Sequence, residues 1–295
     1  MMLDFIQDGT KEELLLANEA NCLSYVRTYS AIDNVEMVEN EKIMMAVSPV
    51  DGVSMINNFV SKSILEEGEV DGVLGRFKEA GRPVMWTVSP NTAPPDMSDV
   101  LKKKKMIHFD SYALMHCDMS SLEDASGLAE GLEIWQVNDF DTFTDWVHLN
   151  TISFGLTGGI RDITIKDHAR LFLDSTLPGY HFICYLNGKP AGTSTVYIAD
   201  GVAGIYNITT APEARGRGVG EAVTRQAMIA GKKAGCVFAT LQATKMGRPV
   251  YEKIGYESVA SNDIFVKMYG KSLIKMPATL LQRSVGNQLR KLFFS

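Results

Sequence analysis

The stretch from Val202 to Gly235 constrains the fold of this chain more than any other. "VAGIYNITTA" (202–211) reads as a strand, and "APEARGRGVGEAVT" (211–224) then packs three glycines and two arginines into fourteen residues. Val219, Ala222, Val223, Ala227, Ala230 and Ala234 follow at spacings of three and four up to Gly235, the pattern of a helix with one buried face and a glycine stop. A strand, a glycine turn and a helix amino terminus together present unpaired N–H groups at the positive end of a helix dipole, which suits a phosphate and here a pyrophosphate. Glycines let the backbone approach the anion, and Arg215 and Arg217 can add charge-assisted hydrogen bonds. The alternative is a tight turn without a ligand.

Two familiar phosphate motifs fail on spacing. The dinucleotide fingerprint needs glycine at 221 or 223, where Glu221 and Val223 stand, and a P-loop ending at "GKS" (270–272) needs glycine at Phe265.

The rest of the carboxyl half alternates strand and helix patterns. "LEIWQV" (132–137) predicts a strand and "DFDTFTDWVHLNTISF" (139–154) a helix capped by Asp139, followed by a glycine-rich loop and a helix near Lys166–Leu173. Residues 181–200 read as a hairpin about Asn187-Gly188. "CVFATLQA" (236–243) predicts a strand, "RPVYEKI" (248–254) a short helix and "GYESVASNDIFVKMY" (255–269) a closing strand pair. The amino half predicts a helix at Lys11–Arg27, strands near Val35–Val47, helical segments near Ser54–Glu66 and Val70–Ala80, and a strand at 83–88. A further helix opens at Asp96 or Ser98, and the small, polar run 117–131 reads as a linker.

A length of 295 residues suggests about two domains, each large enough for its own core. With 45% hydrophobic and 22% charged residues the chain reads as globular, and a net charge of −6 argues against general nucleic-acid binding. Cys22, Cys117, Cys184 and Cys236 form no C-x-x-C pair and have no histidine at metal-ligand spacing, so reduced thiols and no metal are expected. No apolar run approaches the roughly 18 residues of a membrane helix, and the first residues lack a signal-peptide pattern, so a cytoplasmic location is expected.

Arg215-x-x-Gly218-x-Gly220, preceded by a strand and Pro212, resembles the R/Q-x-x-G-x-G/A signature of the GNAT superfamily of N-acetyltransferases. "VYEKIGY" (250–256) resembles the family's element after the next strand, and order and spacing agree from about 132 to 269. The resemblance implies an α/β (α+β) fold, a mixed and largely antiparallel sheet flanked by helices, whose central strands splay to admit acetyl-CoA. The pyrophosphate would rest on Arg215, Gly216, Arg217, Gly218, Val219 and Gly220, and the pantetheine arm would pair with Ile208, Thr209 and Thr210. Thr244 stands where many members carry a cofactor-holding asparagine, and a hydroxyl can still donate and accept there.

The resemblance further implies that Tyr251 protonates the leaving thiolate and that a backbone N–H near Thr209 or Thr210, freed by a bulge, polarises the thioester carbonyl. Phe154 stands where relatives form a wall of the acceptor pocket, with a core role as its alternative. The base stays open among water, Glu213, His181 and Asp174.

Residues 128–270 are then the acetyl-CoA-binding domain. Residues 1–120, which lack the signature, resemble a degenerate GNAT-like domain in tandem with it, and 271–295 read as a basic amphipathic helix. That helix would dock on its own chain or on a homodimer mate, or associate weakly with an acidic surface. The expected activity is acetyl transfer to a small primary amine in a ternary complex. The alternatives are an acyl-CoA-binding regulator without turnover and an acetyltransferase for protein amino termini or lysines.

Overall fold

A computed structural model describes residues 5–32, 35–47, 58–63, 65–91, 96–123, 127–153 and 178–269. In chain order the elements are α1 (Lys11–Arg27), β1 (Glu36–Glu39), β2 (Ile43–Val47), β3 (Asn58–Ser61), α2 (Glu67–Glu79), β4 (Val84–Val88), α3 (Met97–Lys103) and β5 (Ile107–Asp118). There follow β6 (Leu132–Gln136), α4 (Phe140–Ser153), β7 (Gly179–Leu186), β8 (Lys189–Ala199), β9 (Val202–Thr210), α5 (Val219–Lys233), β10 (Phe238–Ala243), α6 (Arg248–Lys253) and β11 (Glu257–Lys267). Of the described residues, 5–28, 113–153 and 178–260 form one compact unit, and 29–112 with 261–269 form a second. Helix α1, which the sequence assigns to the amino-terminal domain, thus packs in the same unit as the glycine turn.

In the first unit the strand order is β5-β10-β9-β8-β7-β6. The β9/β10 pair is parallel and the other neighbours are antiparallel, giving the mixed, largely antiparallel sheet expected. Asn187 and Gly188 take φ of 51° and 74°, the left-handed pair that a two-residue hairpin requires. The β8 side chains alternate between the two faces of the sheet. Ser194 donates to the Val223 carbonyl of α5 at 2.7 Å, whereas the Thr193 hydroxyl lies 2.9 Å from Asn150 Nδ2 of α4. Helix α5 buries Val219, Val223 and Ala227 and lies close against β8, since a Cβ on Gly192 would come within 2.4 Å of Val219 Cγ1. Helix α1 starts with a Thr10/Glu13 capping box and packs Leu14 and Ala17 against Val202 and Phe238.

In the second unit the order is β1-β2-β3-β4-β11, with β3/β4 parallel and the rest antiparallel. Its core gathers Val70, Val73 and Phe77 of α2, Met97 and Leu101 of α3, Trp86 of β4 and Phe265 of β11.

Two local expectations are corrected. The segment expected to be helical near Ser54–Glu66 contains strand β3, held between β2 and β4, and the helix after it begins at Glu67. The apolar residues of that run fit a helical period, but cross-strand pairing on both sides decides the outcome. The strand pair expected at 255–269 is one strand, because Asp263 stays extended opposite Val88 and accepts a hydrogen bond from Ser111 at 2.6 Å. Asn262-Asp263 supplies polarity without the glycine that would turn the chain. At the front of the expected linker, Cys117 and Asp118 end β5. The helix expected near Lys166–Leu173 and the tail 271–295 lie outside the described residues.

Candidate active site

Among the described residues, β9 and β10 pair only where Ala203 faces Ala239 and Gly204 faces Thr240. Beyond that point β9 stays with β8 as far as Thr210, and Leu241, Gln242 and Ala243 stay with β5, so the two central strands part. The register of β9 on β8 also breaks here. Tyr206 faces Thr195 and Thr209 faces Thr193, leaving Asn207 and Ile208 opposite Ser194 alone. This is a β-bulge, and Asn207 carries its positive φ of 52°. Ile208, Thr209 and Thr210 thus lie on the stretch of β9 that leaves β10.

Two hydroxyls fix the bulge from β8. Thr193 donates to the Asn207 carbonyl at 2.7 Å and lies 2.8 Å from the Thr209 hydroxyl, while Thr195 accepts from Asn207 Nδ2 at 3.2 Å. The Thr195 hydroxyl also lies 2.8 Å from Nδ1 of His181. Burial holds that imidazole down at about 3, so it is neutral near pH 7 and Nδ1 can accept the Thr195 proton.

Past the bulge the chain makes a short turn at Pro212–Ala214 and enters the glycine stretch. Gly216 and Gly218 have φ of 74° and 78°, Gly218 is the N-cap of α5, and a Cβ on either would meet nothing within 4 Å. The first bond inside α5 runs from Ala222 N–H to the Gly218 carbonyl at 2.9 Å, so the N–H groups of Val219, Gly220 and Glu221 precede the helical ladder. Arg215 and Arg217 are exposed beside them. Gly220 is needed for closeness, since its Cβ would lie 3.2 Å from Thr210 Oγ1. An open, doubly left-handed turn, free N–H groups and two arginines fit a diphosphate on chemical grounds.

After β10, Thr244 closes the next turn by accepting from Gly247 N–H through both its hydroxyl, at 3.2 Å, and its carbonyl, at 3.0 Å. Helix α6 follows and carries Tyr251, which is 8% exposed and meets Tyr256 edge-on at 6.1 Å. Burial pushes the Tyr251 phenol well above its ordinary range, so it stays protonated at neutral pH. Gly247 makes room for it, as a Cβ there would be 3.0 Å from the ring. Glu213 is exposed in the Pro212–Ala214 turn. Phe154 and Asp174 lie outside the described residues.

Sequence reasoning missed the support from α1. Asn207 Nδ2 donates to the Tyr25 hydroxyl at 2.7 Å, Tyr25 stacks on Tyr206 with ring centroids 4.3 Å apart, and Tyr206 donates to Asn21 Oδ1 at 2.6 Å. Asn21 Nδ2 in turn reaches the carbonyls of Tyr197, Ala199 and Val202. The one usable signal was an asparagine inside a strand pattern, which favours a left-handed residue. Among the described residues no cluster of three or more His, Cys, Asp or Glu is placed to hold a metal, and no helix is long and apolar enough to cross a membrane.

The splay, the bulge and the glycine cradle define the class: a mixed-sheet domain built around the parting of two parallel strands, with a phosphate-type turn at the open end. Residues 135–256 match the model of the acetyltransferase (GNAT) family, so this stretch of the chain is a GNAT domain. The fold is similar to that of a GCN5-related N-acetyltransferase from Kribbella flavida, at 16% identity and a TM-score of 0.65 over 87% of this chain and 97% of that one. It is also similar to a tandem GNAT protein from the clavulanic acid biosynthesis pathway, at 13% identity and 0.54 over 88% and 94%. A GCN5-related N-acetyltransferase from Sphaerobacter thermophilus gives 12% and 0.54 over 88% and 94%. No curated protein matches the chain.

Proposed function

We propose that this protein transfers the acetyl group of acetyl-CoA to a small primary amine within a ternary complex. The observation that carries the reading is the parting of β9 from β10 beside the open turn Arg215–Gly220, because a strand-like arm and a diphosphate have their complements there in series. Tyr251, on the helix that follows the neighbouring strand, favours turnover over mere acyl-CoA sensing. The full-length tandem neighbour supports reading the second unit as a GNAT-like partner without a phosphate signature.

Acetyl-CoA supplies the activated acyl group as a thioester. Arg215 and Arg217 offset the diphosphate charge, with the N–H groups that open α5. Backbone N–H groups of the bulged stretch of β9 hydrogen-bond the thioester carbonyl and stabilise the charge that develops on it. The neutral amine attacks the carbonyl carbon, the C–S bond breaks, and Tyr251 gives its proton to the departing thiolate. A lysine-like amine costs about 4–5 kcal/mol to deprotonate at pH 7, so its proton must leave through a base or ordered water. His181 is neutral and buried beside Thr195, which suits a proton path more than a strong base.

The test is release of free thiol from acetyl-CoA on incubation with a panel of primary amines. Amine-dependent release that disappears in Gly218→Asp, where a carboxylate would face the phosphates, is the expected result. Saturable acetyl-CoA binding without release with any amine would favour the regulator, and release with peptides alone the protein-directed enzyme.

A further inference from the structure

We infer that Tyr25 of α1 is a positioning residue for the acyl-transfer site, holding the bulge of β9 in the shape that presents its N–H groups to the thioester. This rests on the proposed cofactor site and adds to it a part of the chain that lies outside the GNAT family match.

The bulge depends on Asn207, a non-glycine residue in a left-handed conformation, which is held by its surroundings and not by its own preference. Its carbonyl is fixed by Thr193 and its side-chain amide by two acceptors, Thr195 of β8 and Tyr25 of α1. The β8 partner belongs to the same ladder and follows any slip of the strand. Tyr25 does not, because it sits on a different element clamped to the sheet at several points. Asn21 bonds three carbonyls at the β8/β9 turn, and Asn18 bonds the carbonyls of Met115 in β5 and Leu241 in β10. Helix α1 therefore grips β5, β10 and the β8/β9 hairpin, the strands on both sides of the parting.

The Tyr25 ring is itself immobilised. It lies flat on Tyr206 with 4° between the planes and meets Tyr197 edge-on at 5.5 Å. The hydroxyl thus has a fixed place. Burial pushes it up to about 12, so it offers the same neutral acceptor to Asn207 at every working pH.

The experiment titrates CoA and acetyl-CoA separately into the full-length protein and its Tyr25→Phe, Asn207→Gly and double variants. CoA lacks the acetyl carbonyl and reports the rest of the site. In the parent acetyl-CoA should bind more tightly than CoA, and Tyr25→Phe, which keeps the ring stack, should cut that preference about five-fold, the worth of one hydrogen bond, with CoA affinity within a factor of about two. Asn207→Gly keeps the left-handed conformation accessible and should give the same loss, and the double variant should lose no more than either single one. A preference retained in folded Tyr25→Phe overturns the inference while leaving the cofactor site standing, and so does an equal loss for both ligands, which would mark a merely structural tyrosine. If Tyr25→Phe does not fold, Asn207→Gly decides in the same terms. A parent that binds neither ligand overturns the proposed function and this inference together.

Discussion

Lys253 Nζ lies 2.6 Å from Glu221 Oε2 and so ties the helix that begins at the glycine turn to the helix that carries Tyr251. Arg225 reaches the other oxygen of Glu221 at 3.3 Å. The hydrogen bond from Lys253, with help from Arg225, holds the carboxyl below its usual range, and a carboxylate in the first turn of α5 would repel a neighbouring diphosphate unless screened. Lys253→Ala should therefore weaken CoA binding by up to about five-fold at low salt, and the difference should shrink at about 0.5 M salt. Calorimetry at two ionic strengths checks this, and an equal affinity at low salt contradicts it.

Tyr251→Phe should leave CoA binding unchanged and lower kcat by about 10²–10⁴-fold, the range for a lost general acid. The ring and its contact with Tyr256 remain, so folding is preserved. Steady-state kinetics with an accepted amine, paired with a CoA titration, separates the two effects. A kcat within a factor of about two of the parent returns Tyr251 to packing alone.

The neutral, buried imidazole of His181 makes stability depend on pH. Its folded value of about 3 lies below the ordinary 6.5, so the unfolded chain binds the proton first as pH falls. The contribution is complete above about pH 6.5 and is lost on acidification toward pH 3, with a slope of at most about 1.4 kcal/mol per pH unit. His181→Gln, which cannot titrate, should flatten Tm against pH between 6.5 and 4. Superimposable profiles would assign the acid sensitivity to other groups.

Asn21→Ala should destabilise the first unit by roughly 2–4 kcal/mol, because it strips one donor from three carbonyls and the acceptor from the Tyr206 hydroxyl. Removing residues 1–28 should do more, since Leu14 and Ala17 cover Val202 and Phe238. Thermal unfolding of the two variants should rank them in that order, and a deletion as stable as the parent would make α1 dispensable.

The glycine turn was legible because its chemistry is local: positive φ at Gly216 and Gly218, a helix start and two arginines all fall within a few residues. The hairpin at Asn187-Gly188 and the Asp139 cap, which accepts from Thr142 N–H at 2.8 Å, were legible for the same reason. What escaped depends on partners remote in sequence. Strand β3 exists because β2 and β4 flank it, and β11 runs straight because β4 and Ser111 hold Asp263. The reach of Tyr25 to Asn207 crosses most of the chain, and no periodicity within α1 announces it.

That last distance has a consequence for how the molecule is made. Tyr25 and Asn207 are 182 residues apart, and Val202 and Phe238 lie still farther in sequence from Leu14 and Ala17, which they cover. At about 5–20 residues per second a ribosome takes roughly 10–40 s to cover that interval. During it the apolar face of α1 is exported with no permanent partner. Newborn chains are therefore most vulnerable to aggregation, and most dependent on chaperone cover, before the GNAT domain is complete, and α1, made well before its partners, is among the last elements to find its seat.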